Sequence, residues 1–149
     1  MTLPTHILAG FIIGKLTGDF PTALAGSLAV DVDHAIPYIR HGMLRKPRRL
    51  LQTIFGKTDP WGDQRNVFHS VFSWFVISLL LFTVQSRFGS VFSIAYMVHL
   101  VLDAVDGAVF YPFFPFKKFV IKGPVPYASQ QEIIFDVCLL SVFLVLFTI

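Results

Sequence analysis

Long apolar runs alternate with short polar clusters along this chain. Residues 66–86 are 21 consecutive positions without Asp, Glu, Lys or Arg, about the ~20 that a bilayer-spanning helix needs. Residues 88–102 are likewise uncharged. That pattern predicts a helix running on through Asp103 and Asp106 to about Phe110, where Pro112 and Pro115 stop it. Residues 133–149 are apolar except for Asp136. These three runs are the expected transmembrane helices.

The N-terminal part is patterned differently. Residues 5–16 and 21–30 are short apolar pieces joined by Thr17, Gly18, Asp19 and Phe20, a turn signal followed by Pro21 at an expected first helical position. At 1.5 Å per residue each piece is roughly 15–18 Å long, about half a hydrocarbon core. A helical hairpin that enters and leaves by one face is expected, with Gly10 and Gly14 spaced as in a close helix-packing face.

Composition agrees with a membrane class. The 149 residues suit one domain, 1–149. They are 54% hydrophobic with 17 Phe, and only 14% are charged, against about 25% in soluble proteins. The single cysteine, Cys138, excludes an intrachain disulfide and all-thiolate zinc sites. Its place in the last apolar run suggests packing. No signal-peptide pattern is read at the N-terminus.

A sequence pI of 9.2 raises nucleic acid as a partner, but the distribution of the charge favours lipid. Arg40, Arg45, Lys46, Arg48, Arg49, Lys57 and Arg65 lie in one loop, and Lys117, Lys118 and Lys122 in another. If both loops share a side, the positive-inside rule makes it cytoplasmic and leaves the C-terminus opposite. Leu44, Leu50, Leu51, Ile54 and Phe55 interleave with the first group, so this stretch is expected to lie amphipathically on anionic headgroups.

Against that apolar background the histidines and aspartates stand out. A charge near the bilayer centre costs roughly 2.5–3.5 kcal/mol on insertion scales, so such groups have partners or a function. His99 and Asp103 are i, i+4 on one helix face, able to meet one ion from one rigid element, and Asp106 extends the stripe. Asp31, Asp33 and His34 offer three ligands over four residues. His6 opens the hairpin and His69 opens the next apolar run, so the topology brings all of these to the basic-loop side. Arg65, four residues before His69, is read either as a bidentate phosphate clamp or as a topogenic arginine. Glu132 and Asp136 either orient ligand histidines or pair with loop lysines. His41, in the basic loop, is expected to be solvated. No HExxH, GxSxG or Walker-type phosphate loop is present.

Taken in order, these residues resemble the YdjM-like family of inner-membrane proteins, described as metal-dependent hydrolases. The matching pieces are Thr5-His6; Asp31-Val32-Asp33-His34; Arg65 to His69-Ser70; His99 with Asp103; and the loop of Tyr111-Pro112-Phe113 and Pro115-Phe116-Lys117-Lys118. They span residues 5–135. Gln64 stands where the family commonly has histidine, and Val30 where it often has proline. The set is also distantly similar to zinc-dependent phospholipases C, by analogy only.

The resulting expectation is an all-α integral membrane bundle: a short N-terminal hairpin and three longer transmembrane helices. His6, Asp33, His69, His99 and Asp103 are the expected metal ligands. Asp31 and His34 are expected to bridge, complete the shell or act as base, and Arg65 to hold phosphate. Asp106 and Glu132 are placed behind the ligands. The ion would be zinc, with manganese or iron admitted by the mixed donors, in one or two copies. The expected reaction is hydrolysis of a phosphoester in a lipid or lipid-linked substrate by a metal-activated water. The alternative is a non-enzymatic transporter or metal-handling protein that uses the same cluster for a cation or proton.

Overall fold

The computed structural model describes residues 1–54, 61, 65 and 67–148. Phe55, Lys57, Gln64, Asn66 and Ile149, which figure in the expectations above, lie outside the described residues.

The expected hairpin forms as α1 (Leu3–Thr17) and α2 (Phe20–Leu28). Gly18 ends α1 in left-handed backbone (φ 72°), a conformation glycine adopts without steric cost. Asp19 then caps α2 by accepting from the Thr22 amide at 3.1 Å, so Pro21 stands second in the helix rather than first. Gly10 and Gly14 do face α2: a Cβ at Gly14 would lie 2.6 Å from the Phe20 ring, and one at Gly10 would lie 3.0 Å from Leu24. Gly26 plays the same part between α2 and the long central helix, where a Cβ would come within 2.5 Å of the Phe92 carbonyl oxygen.

A 3-10 turn (Ala29–Asp31) leads into α3 (Val32–Arg40), and a second (Met43–Arg45) into α4 (Pro47–Ile54). In α4, Arg48, Arg49 and Leu51 are exposed and Leu50 is half-buried. His41 is not simply solvated; its ring stacks on Trp61 with centroids 4.3 Å apart.

The hairpin packs against α6 (Ser86–Val105), which also carries α5 (Val71–Val84) along its length; α7 (Gln130–Thr148) lies against α1. Gln85 joins α5 to α6, its side chain accepting from the Phe88 amide at 2.8 Å. Val30, Phe92, Tyr96, Leu100 and Phe110 form a buried cluster beside the site, with Phe68, Trp74 and Ile77 packed on it. Among the described residues there are no strands, only the isolated bridges Asp106–Val125 and Phe110–Ile121 in the loop between α6 and α7.

Three expectations are corrected. Among the described residues two helices, α6 and α7, are long and apolar enough to span a bilayer, rather than three. The third run forms α5, whose 14 residues reach roughly 21 Å. It starts late because the Phe68 and His69 amides bond the Asp33 carboxylate instead of entering a helix, and Ser70 caps at Ser73. Next, α6 stops at Val105, well before the prolines: Asp106 is extended (ψ 141°), and its carboxylate is held by groups outside the helix. His99 is therefore roughly 9 Å from the helix end, shallower than expected. Finally, Cys138 is exposed on α7 rather than packed. Its neighbours Ile133, Val137, Leu144 and Phe147 are also more than half exposed, as for a helix facing lipid.

Candidate metal centre

His69 and His99 are each fixed by a partner on another element. His99 of α6 places Nδ1 2.7 Å from the carbonyl oxygen of Ser27 on α2. A carbonyl only accepts, so Nδ1 carries the proton and a neutral ring leaves Nε2 bare. Ser27 is itself anchored, donating to the His6 carbonyl at 2.5 Å. His69 is held in the same tautomer by Asp33 of α3, whose Oδ2 lies 3.1 Å from Nδ1 and also accepts the Phe68 and His69 amides at 2.7 and 3.0 Å.

The two bare nitrogens meet: Nε2 of His69 and Nε2 of His99 are 3.4 Å apart. Oδ2 of Asp103 lies 3.2 Å from the first and 3.5 Å from the second. It is buried and accepts no hydrogen bond among the described residues. Oδ1 of Asp31, from the 3-10 turn, closes the ring at 3.8 and 3.7 Å. Lone pairs facing one another in a buried site repel unless a cation lies between them. Ligand atoms of a tetrahedral zinc site, about 2.0–2.1 Å from the ion, stand roughly 3.3–3.4 Å from each other. The His69, His99 and Asp103 atoms, 3.2–3.5 Å apart, match that spacing, while Asp31 stands slightly farther off.

Further candidate ligands flank this ring. His6 of α1 is buried, stacked on His99 with centroids 3.7 Å apart, and both its ring nitrogens lack hydrogen-bond partners among the described residues. Its Nε2 is 3.4 Å from Oδ1 of Asp103. On the other side, Nε2 of His34 is 3.3 Å from Oδ1 of Asp31. Three overlapping groups could each hold an ion: His6, Asp31 and His99; Asp31, His34 and His69; and His69, His99 and Asp103, the donor atoms of each within 4.8 Å of one another. Burial pushes the Asp31 carboxyl upward, but the hydrogen bond from His34 and the fields of His99 and His6 outweigh it and hold it down to about 2.

Arg65 lies behind Asp103. Its Nη2 is 2.6 Å from Oδ2 of Asp106 and 3.4 Å from Oδ1 of Asp103, while Nη1 is buried without a partner among the described residues. Burial alone would disfavour its charge; Asp103 and Asp106 outweigh that and raise its pKa above the ordinary arginine value. The amino nitrogen of Met1 also lies 2.6 Å from Asp103 Oδ1 and from Asp106 Oδ2.

Several sequence assignments change. Asp33, expected as a ligand, belongs to none of the three groups and instead orients His69. Asp31, expected to bridge, complete the shell or act as base, belongs to two of them, in keeping with the first two of those roles. Asp106 does not share the His99–Asp103 stripe, because the helix has ended, yet it still backs the site through Arg65. Among the described residues Glu132 has no hydrogen bond or ion pair with a histidine. It accepts from the Thr2 and Ala128 amides at 2.5 and 2.6 Å, and Thr5 donates to Asp136 at 2.7 Å. Both acids therefore tie α7 to the start of α1 rather than holding a ligand tautomer or a loop lysine. Ser27 was missed, since it acts through a backbone carbonyl that no sequence pattern marks.

The comparisons agree with a membrane protein. Residues 1–148 match the family model of the YdjM inner membrane protein. No curated protein and no solved structure matches the chain. With the match covering nearly all of its length, this chain belongs to the YdjM inner membrane protein family.

Proposed function

We propose that this protein is a membrane-embedded metal-dependent hydrolase acting on a phosphoester of a lipid or lipid-linked substrate. The observation that carries the reading is the pair of bare Nε2 atoms, 3.4 Å apart with a buried, unpartnered Asp103 oxygen beside them. His69, His99, Asp103 and Asp31 would hold the ion, with His6 and His34 available to complete its shell or bind a second. Zinc is favoured by the imidazoles, with manganese or iron as the alternatives for mixed nitrogen and oxygen donors. Bound there, the metal would supply Lewis acidity and an activated water.

The chain's own residues have separable tasks in this reading. Asp33 and the Ser27 carbonyl keep the protons of His69 and His99 on Nδ1. Arg65, already fixed through Nη2, has Nη1 left for an oxygen of the phosphoryl group, and its planar fork suits that geometry. His34 is 27% exposed against 0% for His69 and His99, so it stands at the mouth. There its Nε2, 3.3 Å from Oδ1 of Asp31, would complete the shell or serve as the base. The positive-inside count supports a mouth on the cytoplasmic side.

The test uses purified protein in detergent with mixed phospholipids and isoprenyl phosphates as probes. Product formation that is abolished by chelation and restored by zinc supports the proposal. A protein that turns over none of these substrates with metal bound, yet passes a cation across proteoliposomes, overturns it in favour of the transport reading.

A further inference from the structure

Close to the candidate centre lies a cavity of about 220 Å³, walled by Val30, Val32, Phe68, Ile77, Phe92 and Tyr96 among others. The single polar side-chain atom among these six is the Tyr96 hydroxyl, and it already donates to the Phe68 carbonyl. A buried water needs 2–4 polar partners, and this lining offers none to spare. The cavity is not sealed. Val32 is exposed and Phe68 and Ile77 are half-buried, whereas Val30, Phe92 and Tyr96 make a buried floor. In a membrane protein an open, apolar recess of this kind suits hydrocarbon better than water.

The lining is also tied to the metal-binding residues. Val30 directly precedes Asp31, Phe68 directly precedes His69, and Tyr96 stands about one turn before His99 on α6. Three walls of the cavity are thus covalent neighbours, or one-turn neighbours, of three candidate ligands. The hydrogen bond from Tyr96 to Phe68 locks two of those walls together.

We infer that this cavity takes an acyl chain of a membrane phospholipid and so sets the lipid's polar end beside Asp31 and His69. Occupancy by a chain stands on the cavity alone; that the seated lipid is the substrate rests on the hydrolase reading above.

The experiment reconstitutes the protein in vesicles of phosphatidylethanolamine and phosphatidylglycerol. A trace of phosphatidylglycerol bearing a diazirine near its acyl terminus is included, and labelled residues are mapped after irradiation. Label should concentrate on Ile77, Phe92 and Tyr96 relative to Leu79 and Leu80, which are more than half exposed on α5 and report ordinary lipid contact. Val32→Trp, at the exposed mouth, should abolish that excess without changing metal content or melting temperature. Ile77→Trp should do the same from deeper in; if it fails to fold, Val32→Trp decides. Label spread evenly over Ile77, Phe92, Leu79 and Leu80, or an excess that survives Val32→Trp in folded protein, overturns the inference. Photolabelling needs no turnover, so the two readings fail separately. Cavity labelling without hydrolysis removes the hydrolase and keeps the acyl site, whereas hydrolysis with even labelling does the reverse.

Discussion

His99 lies on α6 and His69 in the segment just before α5, yet their Nε2 atoms face each other at 3.4 Å while each Nδ1 is committed to an acceptor. Two neutral imidazoles in that arrangement present lone pairs to one another in a buried site. Packing alone gives no reason to hold them so; a shared cation does. A proton on His69 Nε2 would have two competing acceptors, His99 Nε2 at 3.4 Å and Asp103 Oδ2 at 3.2 Å, and it would leave the nitrogens of His6 without partners.

Asp33 is predicted to act through His69. Asp33→Asn should weaken metal binding about 10–100-fold, the range for changes behind a ligand histidine, with helical content retained. Competition against a calibrated chelator measures this, and an unaltered affinity would remove Asp33 from the site.

Arg65→Lys separates substrate binding from metal binding. It keeps a positive charge near Asp103 and Asp106 but loses the fork, so metal content should persist while KM for a phosphoester rises. Loss of metal in this variant would instead make Arg65 an element of the metal site's architecture.

Gly26 sets the approach of α2 to α6, and through Ser27 it also sets the acceptor for His99. A larger side chain there meets the Phe92 carbonyl, and overpacking of this kind costs about 1–3 kcal/mol. Gly26→Val should lower the melting temperature in detergent and weaken metal binding together. A melting curve that superimposes on wild type contradicts the close packing described for this pair.

Acid should act on the metal-free protein through Asp31, whose carboxyl is lowered from 3.8 to about 2 in the fold. A depressed carboxyl stabilises the fold above its unfolded value and loses that contribution as pH falls through its folded one. Chelated wild type should therefore lose stability between about pH 4 and pH 2, and Asp31→Asn should flatten that part of the profile. Equal acid sensitivity in both proteins would deny Asp31 its ionic contacts with His34 and the neighbouring histidines.

Much of this site was legible in the sequence because imidazoles and carboxylates are rare and costly in apolar helices. His6, Asp31, His34, His69, His99 and Asp103 stood out on that ground, and the i, i+4 spacing already placed His99 and Asp103 on one face. What sequence could not supply was the division of labour. Asp33 and Asp31 are chemically alike and two residues apart, and only the turn into α3 sends one to His69 Nδ1 and the other to the shared centre. The same turn explains the shortened α5, since amides bonded to Asp33 are lost to the helix. Likewise Asp106 reads by spacing as an extension of the His99–Asp103 stripe, until the backbone leaves the helix at that very residue. Glu132 and Asp136 have the spacing of His-orienting acids, but α7 packs on α1, so they meet Thr2 and Thr5 instead.

Metal content is the most direct measure of the central claim. Protein purified in detergent and exchanged into chelator-free buffer should carry zinc, or a comparable transition metal, in stoichiometric amount. His69→Ala, His99→Ala and Asp103→Ala should each lose it, and His41→Ala, outside the ring, should keep it. Wild-type protein that stays metal-free after incubation with zinc, manganese or iron, or ligand variants that retain a full complement, would contradict the account.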